Sequence, residues 1–397
     1  MSKAIVYFTP DQTDSNTGNR AEAFLAEGCR LLVLGFRRGR YNGDFLPSWP
    51  SIALGRTRDG HYMMRLIACL GALPVLIRSL KLLAGADVFY ARNIDLLLLA
   101  LLARGLIGKP IPIVYEILDV QPAFVGSGAA ARVFRAIERF GLRRIRLLVL
   151  TSPGFLHHYF RPVQGYAGPW FLLENKLSPA LAKSRGDLAR PAAAAPRQYR
   201  SGYRWVVGYC GLIRGRQTFD LIARVAERLR GQVLFKFHGV FTTLEQRHFE
   251  KTLQRIDNLI YEGPFRNPQD LARLYGEVDF AWAIDLEHAE HNSRWLRPCR
   301  FYEAGYFGVP CLAASGFETG TLVDELQVGW SFAAPFEQAL VDFFRNLTDA
   351  EYQARRQRLL ALPIGRFVIE GDAAKLLQML AAPPPAADIA PEILAAD

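Results

Sequence analysis

Short apolar runs of β type alternate along the chain with longer stretches in which apolar residues recur every three or four positions. In the first half the runs predict strands at 4–8 (AIVYF), 31–36 (LLVLGF), 87–91 (DVFYA), 111–117 (IPIVYEI), 147–151 (LLVLT) and 171–174 (FLLE). Helical periodicity lies between them at 20–27, 94–107, 130–143 and 154–160. A second series follows, with strands at 205–211 (WVVGYCG), 233–239 (VLFKFHG), 258–262 (NLIYE), 278–284 (VDFAWAI) and 310–314 (PCLAA). Its helices fall at 217–230, 242–255, 268–276 and 299–307, and helices continue to about residue 381. Strands that are apolar throughout, alternating with helices, predict parallel sheets covered on both faces. The chain is therefore expected to be α/β, with two Rossmann-like doubly wound domains facing a cleft.

The breaks in the pattern set the boundaries. Residues 1–177 form the expected N-terminal domain and 204–362 the expected C-terminal domain. Between them 178–203 holds ARPAAAAPRQYRSG, which lacks apolar periodicity and reads as a linker. A C-terminal helix at 363–381 is expected to return to the N-terminal domain, and 382–397 (APPPAADIAPEILAAD) has the composition of a disordered tail.

Composition narrows the class without choosing a function. At 397 residues the chain is too long for one ordinary core, and 50% hydrophobic with 22% charged residues is a globular balance. The five cysteines are scattered and never spaced as CxxC, so reduced thiols in a cytosolic protein are expected. The first residues, MSKAIVYFTP, pass almost directly into a strand, without the pattern of a secretory signal, so cytoplasmic residence is expected. The net charge of +10 points to an anionic partner: nucleic acid, a membrane surface or a phosphate-bearing substrate.

In doubly wound sheets ligands bind beyond the carboxyl ends of the strands, so the loops there carry the candidate chemistry. The segment Gly208–Arg216 (GYCGLIRGR) ends the first strand of the second series. Gly211 lets backbone approach a ligand, the following helix offers its N-terminal N–H groups, and Arg214 and Arg216 add forked donors suited to a diphosphate. A glycine-rich turn with solvated arginines is the plainer alternative. In PCRFYEAGYFGVP, Glu303 sits mid-helix among apolar neighbours, where an unpaired carboxylate would be costly. A ribose diol would satisfy it, and so would a salt bridge to Arg300 or Arg297. After the 111–117 strand, Glu116 and Asp119 are candidate general bases for an acceptor hydroxyl, with helix capping as the alternative for Asp119. Gly18, Asn19 and Arg20 close a polar loop immediately before a helix and could contact an anion or acceptor. His238 closes the strand KFHG at the same strand end, a candidate ligand contact with a structural histidine as the commoner alternative; His157, His158, His288 and His291 lack any paired-ligand spacing, so no metal is expected.

Taken in order and spacing, these segments resemble the GT-B glycosyltransferases, particularly the family-4-like bacterial (exo)polysaccharide enzymes, over nearly the whole chain. ADVFYARNIDLLLLALLARGLIGKPIPIVYEILD resembles that family's strand–helix–strand segment, with Asn93 in a His-Asn-Asp-like loop on the acceptor side. FLLENKLSP resembles the family's Pro-Asn-Gly segment, with Asn175 at the matching place. VVGYCGLIRGRQTFDLIARVAERL is similar to the glycine loop whose basic residues contact the donor diphosphate, which implies that role for Arg214 and Arg216. PCRFYEAGYFGVPCLAAS resembles the segment whose glutamate binds the nucleotide ribose, which falls on Glu303 with Arg300 beside it. Two positions depart from the pattern. Trp295 stands where many members carry a first glutamate, and Leu118 where many have a histidine beside the donor sugar, which leaves an inverting reaction based on Asp119 or Glu116 open.

The resemblance implies a nucleoside-diphosphate sugar as co-substrate, UDP being the expected nucleotide, with no other cofactor. Residues 131–148 carry Arg132, Arg135, Arg139, Arg143 and Arg146 on one helical stripe and Phe134, Ile137, Ile145 and Leu148 on another. Residues 62–83 are apolar with only positive charges. Each alone reads equally as a core-packed helix with a solvated basic face, but both fall in the domain the resemblance assigns to the acceptor, so an anionic membrane surface and a polyprenyl-diphosphate-linked glycan acceptor are expected, and nucleic acid is not. The rival readings are a nucleotide-sugar epimerase of the same fold and a non-catalytic basic protein that binds membrane or nucleic acid.

Overall fold

The apolar runs of the first series pair as a seven-stranded, all-parallel sheet in the order β3-β2-β1-β4-β5-β6-β7. These strands are β1 Ala4–Thr9, β2 Arg30–Arg37, β3 Ser51–Arg56, β4 Val88–Arg92, β5 Ile113–Ile117, β6 Leu147–Leu150 and β7 Trp170–Leu172. The second series forms a six-stranded parallel sheet, β10-β9-β8-β11-β12-β13, from β8 Trp205–Ile213, β9 Val233–Phe241, β10 Leu259–Gly263, β11 Phe280–Trp282, β12 Cys311–Ala314 and β13 Gly329–Phe332. The coordinates are a computed structural model that describes residues 2–38, 46–57, 62–178 and 202–382. Nearly all of the expected linker 178–203 and tail 382–397 lies outside the described residues.

The chain forms two units, one running to Glu174 and resuming at Glu370, the other from Asn175 to Ile369. The helix Asp372–Ala381 belongs to the first unit, where Lys3 Nζ donates to Leu377 O at 3.0 Å and Arg146 Nη2 to Ala382 O at 2.5 Å. Within the second unit Leu177 bridges in parallel to Val368.

The first unit's helices include α1 Ser15–Ala26, α2 Tyr62–Leu83, α3 Ile94–Ile107, α4 Pro122–Val125 and α5 Ala129–Leu142. Right-handed crossovers from β3 to β4, β4 to β5 and β5 to β6 advance in one direction, which places α2, α3 and α5 on one face of the sheet and α1 on the other. α5 is tied to the sheet by a buried carboxylate: Glu138 accepts Tyr115 Oη at 2.9 Å, Tyr159 Oη at 2.5 Å and Gln164 Nε2 at 2.6 Å. Burial pushes the Glu138 carboxyl above its ordinary range, against the three hydrogen bonds.

Several elements depart from the sequence pattern. Helix α1 starts five residues earlier than expected because Asp14 caps it, accepting the Asn16 N–H, so Gly18, Asn19 and Arg20 lie inside the helix and not in a loop before it. The stretch 154–160 is a single α-turn followed by a π-helical turn, Leu156–Phe160. Strands β3 and β13 were not expected at all. β3 is an edge strand with mostly exposed residues, and β13 is four residues of intermediate hydrophobicity among helices. The predicted basic helix ends at Leu142, and Leu148 belongs to β6.

In the second unit Trp205 anchors the core, with the Phe280 and Tyr352 rings 5.5 and 5.0 Å from it. β8 and β9 stay in register to their carboxyl ends. There Gly211 (φ 129) pairs with Gly239 (φ 148), and a Cβ on Gly239 would lie 1.7 Å from Gly211 O. Gly239→Ala is therefore expected to lower stability by about 3 kcal/mol or more, combining overpacking with a strained φ. A urea unfolding midpoint equal to wild type would refute this.

Candidate active site

The carboxyl ends of β8, β9 and β11 gather the residues that the sequence pattern singled out in the second unit. Arg214 follows β8 and is held by Asp285, three residues beyond β11, through Nη2–Oδ2 at 2.6 Å and Nε–Oδ2 at 3.1 Å. Glu287 Oε2 stands 3.4 Å from the same Nε. Burial alone would raise the Asp285 carboxyl, but the Arg214 guanidinium and the Glu287 N–H hold it below its ordinary range. Arg214 is thus a largely neutralised cation. The loops are stapled together here: Gly215 N donates to Thr243 Oγ1 at 3.2 Å, Thr243 bonds Glu287, and Leu286 N donates to Thr218 Oγ1 at 2.8 Å. Gly215 (φ 73) opens the helix Arg216–Arg228, whose first N–H groups face outward beyond the strand end. Arg216 itself is exposed and bound only at 3.5 Å to Asp220 on its own helix.

Arg300 is held differently. Its guanidinium lies 4.3 Å from the centroid of the Tyr209 ring, Nη1 donates to Trp282 O at 2.9 Å, and Nη2 packs where a side chain on Gly211 would stand, 3.5 Å away. The ring and the carbonyl fix the planar fork while leaving further N–H donors for an anion.

Glu303 lies in the helix Cys299–Tyr306, 8% exposed. Its partners are neither Arg300 nor Arg297: Asn267 Nδ2 donates to Oε1 and Tyr275 Oη to Oε2, both at 2.9 Å. Arg297 pairs with Glu318 at 3.3 Å instead. Burial raises the Glu303 carboxyl, opposed by these two bonds and by the charge of Arg300. Each carboxylate oxygen keeps a lone pair for a further donor, as a diol would provide. Asn267 and Tyr275 were missed from the sequence, because nothing in their spacing links them to a helix some thirty residues on. The need of a mid-helix carboxylate for partners was the available signal. Cys210 sits beside this group, and burial pushes its thiol up to about 12, so it stays protonated.

His238, one strand over, is paired in register with Cys210 and is 1% exposed, its Nε2 buried without a hydrogen-bond partner among the described residues. Burial first, then the charge of Lys236, lowers it to about 4, with Glu262, Arg273 and Glu277 also facing it. Between about 6.5 and about 4 the unfolded chain takes up a proton that the folded chain refuses, so folding stability falls as pH falls through that window. From neutral pH to about pH 4.5 this one group should remove about 2–3 kcal/mol, and His238→Gln should abolish that share of the slope in urea unfolding. A slope identical in both proteins would contradict the assignment.

In the first unit the two predicted bases separate. Glu116, the fourth residue of β5, is fully buried, and Arg20 Nε donates to its Oε1 at 2.6 Å. Arg20 Nη2 also donates to Leu173 O at 2.6 Å. Burial, then the Glu116 charge, pushes the neighbouring Tyr90 phenol well above its ordinary range. Glu116 is thus an internal counter-ion, which leaves it poorly placed to take a substrate proton. Asp119, two residues beyond the strand, is exposed. Next to them Arg92 ties the ends of β1 and β4 together, bonding Tyr7 Oη and Thr17 Oγ1 at 3.2 Å and pairing with Asp14. Asn93 follows with φ 69 and ψ 159, a conformation that costs a non-glycine residue about 1–3 kcal/mol, and opens α3 without a side-chain cap. Gly18 and Asn19 lie two and one residues before Arg20 on α1. Among the described residues no group of three or more His, Cys, Asp or Glu is placed to hold a metal ion.

Two parallel doubly wound sheets, each with its candidate residues at the strand carboxyl ends, are the architecture of the GT-B fold. No family model matches the chain. Its sequence is 32% identical over 378 residues to the succinoglycan biosynthesis protein ExoL of Rhizobium meliloti (strain 1021), covering 95% of this chain and 93% of that protein. The chain belongs to this family of GT-B exopolysaccharide glycosyltransferases. Among solved structures, HepE of Anabaena in complex with UDP-glucose superposes with a TM-score of 0.69 at 16% identity, over 95% of this chain and 99% of that one. Sucrose-phosphate synthase from Thermosynechococcus elongatus gives 0.67 at 16% identity, over 96% and 98%.

Proposed function

We propose that the chain transfers a sugar from a uridine-diphosphate donor to a hydroxyl of a polyprenyl-diphosphate-linked glycan, at the inner face of the cytoplasmic membrane. The observation that carries the reading is the buried Glu303, gripped by Tyr275 and Asn267, beside the Arg300 fork at the carboxyl ends of β8 and β11. In this reading Glu303 takes the ribose diol, and the diphosphate lies against Arg300 and the N-terminus of the Arg216–Arg228 helix. Arg214, its charge offset by Asp285, adds N–H donors, and Gly211 leaves room for the Arg300 fork. His238, neutral and buried, borders the same group. Arg300 and the helix N-terminus stabilise the charge that develops on the departing UDP. Asp119 accepts the proton of the acceptor hydroxyl as it attacks the anomeric carbon. Asn93 and Arg20 position the acceptor side, Arg20 by holding the end of β5 through Glu116. The HepE structures with UDP and UDP-glucose favour uridine as the base, and the succinoglycan role of ExoL favours a lipid-linked glycan acceptor.

The test is transfer of labelled sugar from UDP-glucose or UDP-galactose into the lipid-extractable fraction of membranes from a polysaccharide-producing bacterium. Label in that fraction, lost with Asp119→Asn, is expected. Donor turnover without any acceptor would instead support an epimerase.

A further inference from the structure

Helix α2 inverts the ordinary pattern of a surface helix. It is long and apolar enough to cross a membrane by length and composition, yet it lies along the sheet through buried Ala72, Leu76 and Leu83. Only 17% of its most apolar window is buried inside the protein. Its outward stripe carries Met64, Leu66, Ile67, Leu70 and Ile77, with Ile67 at 64% exposure, and ends on exposed Arg78 and Lys81.

Helix α3 runs alongside in the same direction. The two start together, where Arg65 Nη2 meets Asp95 Oδ2 at 2.6 Å, and end together, where Lys109 Nζ donates to Ala84 O at 3.0 Å. Its outward stripe is Leu98, Leu102 and Leu106, followed by exposed Lys109. Helix α5 packs on α3, with Gly141 against Leu97, and exposes Val133, Ile137 and Phe140. Arg144 lies 3.7 Å over the Phe140 ring, and Arg132 and Arg143 are exposed beside it. The two acidic residues in α2, α3 and α5 are both engaged: Asp95 with Arg65, and Glu138 in the core. The expected basic stripe of α5 is only partly outward, since Arg135 bonds the carbonyls of Phe124 and Gly126, and Arg139 those of Val163 and Gln164.

We propose that this three-helix face, led by α2, is the surface by which the protein lies on an anionic bilayer, its leucine and isoleucine side chains entering the interface and Arg78, Lys81, Lys109, Arg132, Arg143 and Arg144 meeting lipid phosphates. The inference deepens the reading above, on which it rests for the lipid-linked acceptor. Apolar stripes bordered by cations alone match an interface that is apolar within and anionic at its rim. A second copy of the chain fits less well, because two such faces would set cation against cation. The apolar ends of α2 and α3 follow the carboxyl ends of β3 and β4, the edge that carries Asn93, so a lipid-borne hydroxyl would arrive at the acceptor side of the sheet.

The experiment is flotation of the full chain with vesicles of phosphatidylcholine and phosphatidylglycerol in about a 7:3 ratio, compared with phosphatidylcholine alone. The chain is expected to float with the anionic vesicles and to be released by salt. The double variant Ile67→Glu, Leu70→Glu should lower partitioning at least ~10-fold, while Leu25→Glu on the opposite face of the sheet leaves it unchanged. Equal flotation of all three proteins, or none with either vesicle, would overturn the proposal. So would a dimer in light scattering that the double variant dissolves, which would assign the face to a second copy. Because these positions are exposed, the thermal midpoint and donor-induced stabilisation should survive in the double variant. Loss of donor binding in every protein, with flotation intact, would refute the transferase reading and leave the membrane face standing.

Discussion

Asp119→Asn is expected to lower sugar transfer by about 10²–10⁴-fold with an unchanged thermal midpoint, because it removes the proposed general base from an exposed loop. Arg20→Met is expected to do the reverse first: it strands the fully buried Glu116 carboxylate and costs about 3–5 kcal/mol of stability. The contrast separates two carboxylates three residues apart. Glu116 faces a guanidinium at 2.6 Å in the core, whereas Asp119 reaches solvent beyond the end of β5. Glu116→Gln should therefore behave like Arg20→Met in urea unfolding and should retain transfer wherever the protein remains folded. Transfer equal to wild type in Asp119→Asn, with transfer lost in folded Glu116→Gln, would exchange their roles.

The second large effect falls on Glu303. Glu303→Gln keeps the shape of the side chain but loses its charge, and charged hydrogen bonds contribute about 1.5–3 kcal/mol. Donor affinity should drop by roughly 10–100-fold, read by titration calorimetry with the free nucleotide diphosphate. Glu303→Ala adds a fold penalty of about 1–3 kcal/mol, because the Tyr275 hydroxyl is left buried without its acceptor. An unaltered affinity in Glu303→Gln would mean that the Tyr275–Asn267–Glu303 group serves packing alone.

The apolar runs made eleven of the strands legible, because a strand buried on both faces must be apolar at every position. β3 escaped, since SIALGR lies at the sheet edge with most side chains in solvent and follows no strict period. β13 escaped because GWSF is too short to stand out between helices. Among the candidate residues, Arg214 stood out by its place after a strand and Glu303 as a carboxylate in mid-helix, with Arg300 one turn before it. Their partners Tyr275, Asn267, Tyr209 and Asp285 were not, because each comes from a different loop or strand and only the fold brings them together. The misplacement of Gly18, Asn19 and Arg20 has a local cause: the Asp14 cap was available in the sequence, but the first turn, SNTGN, lacks the apolar periodicity that marks a helix. The outward apolar stripe of α2 was visible as composition, yet which way it faced depended on the sheet beneath it.

The central claim, that the second unit holds a nucleoside-diphosphate sugar through Glu303, is tested most directly by thermal stabilisation with a panel of UDP-, GDP-, TDP- and ADP-sugars, wild type against Glu303→Gln. At a hundredfold excess over Kd a bound donor should stabilise the fold by about 2.7 kcal/mol. A shift confined to a uridine donor and largely lost in Glu303→Gln is the predicted result. No shift with any nucleotide sugar, or a shift that Glu303→Gln retains in full, would contradict it.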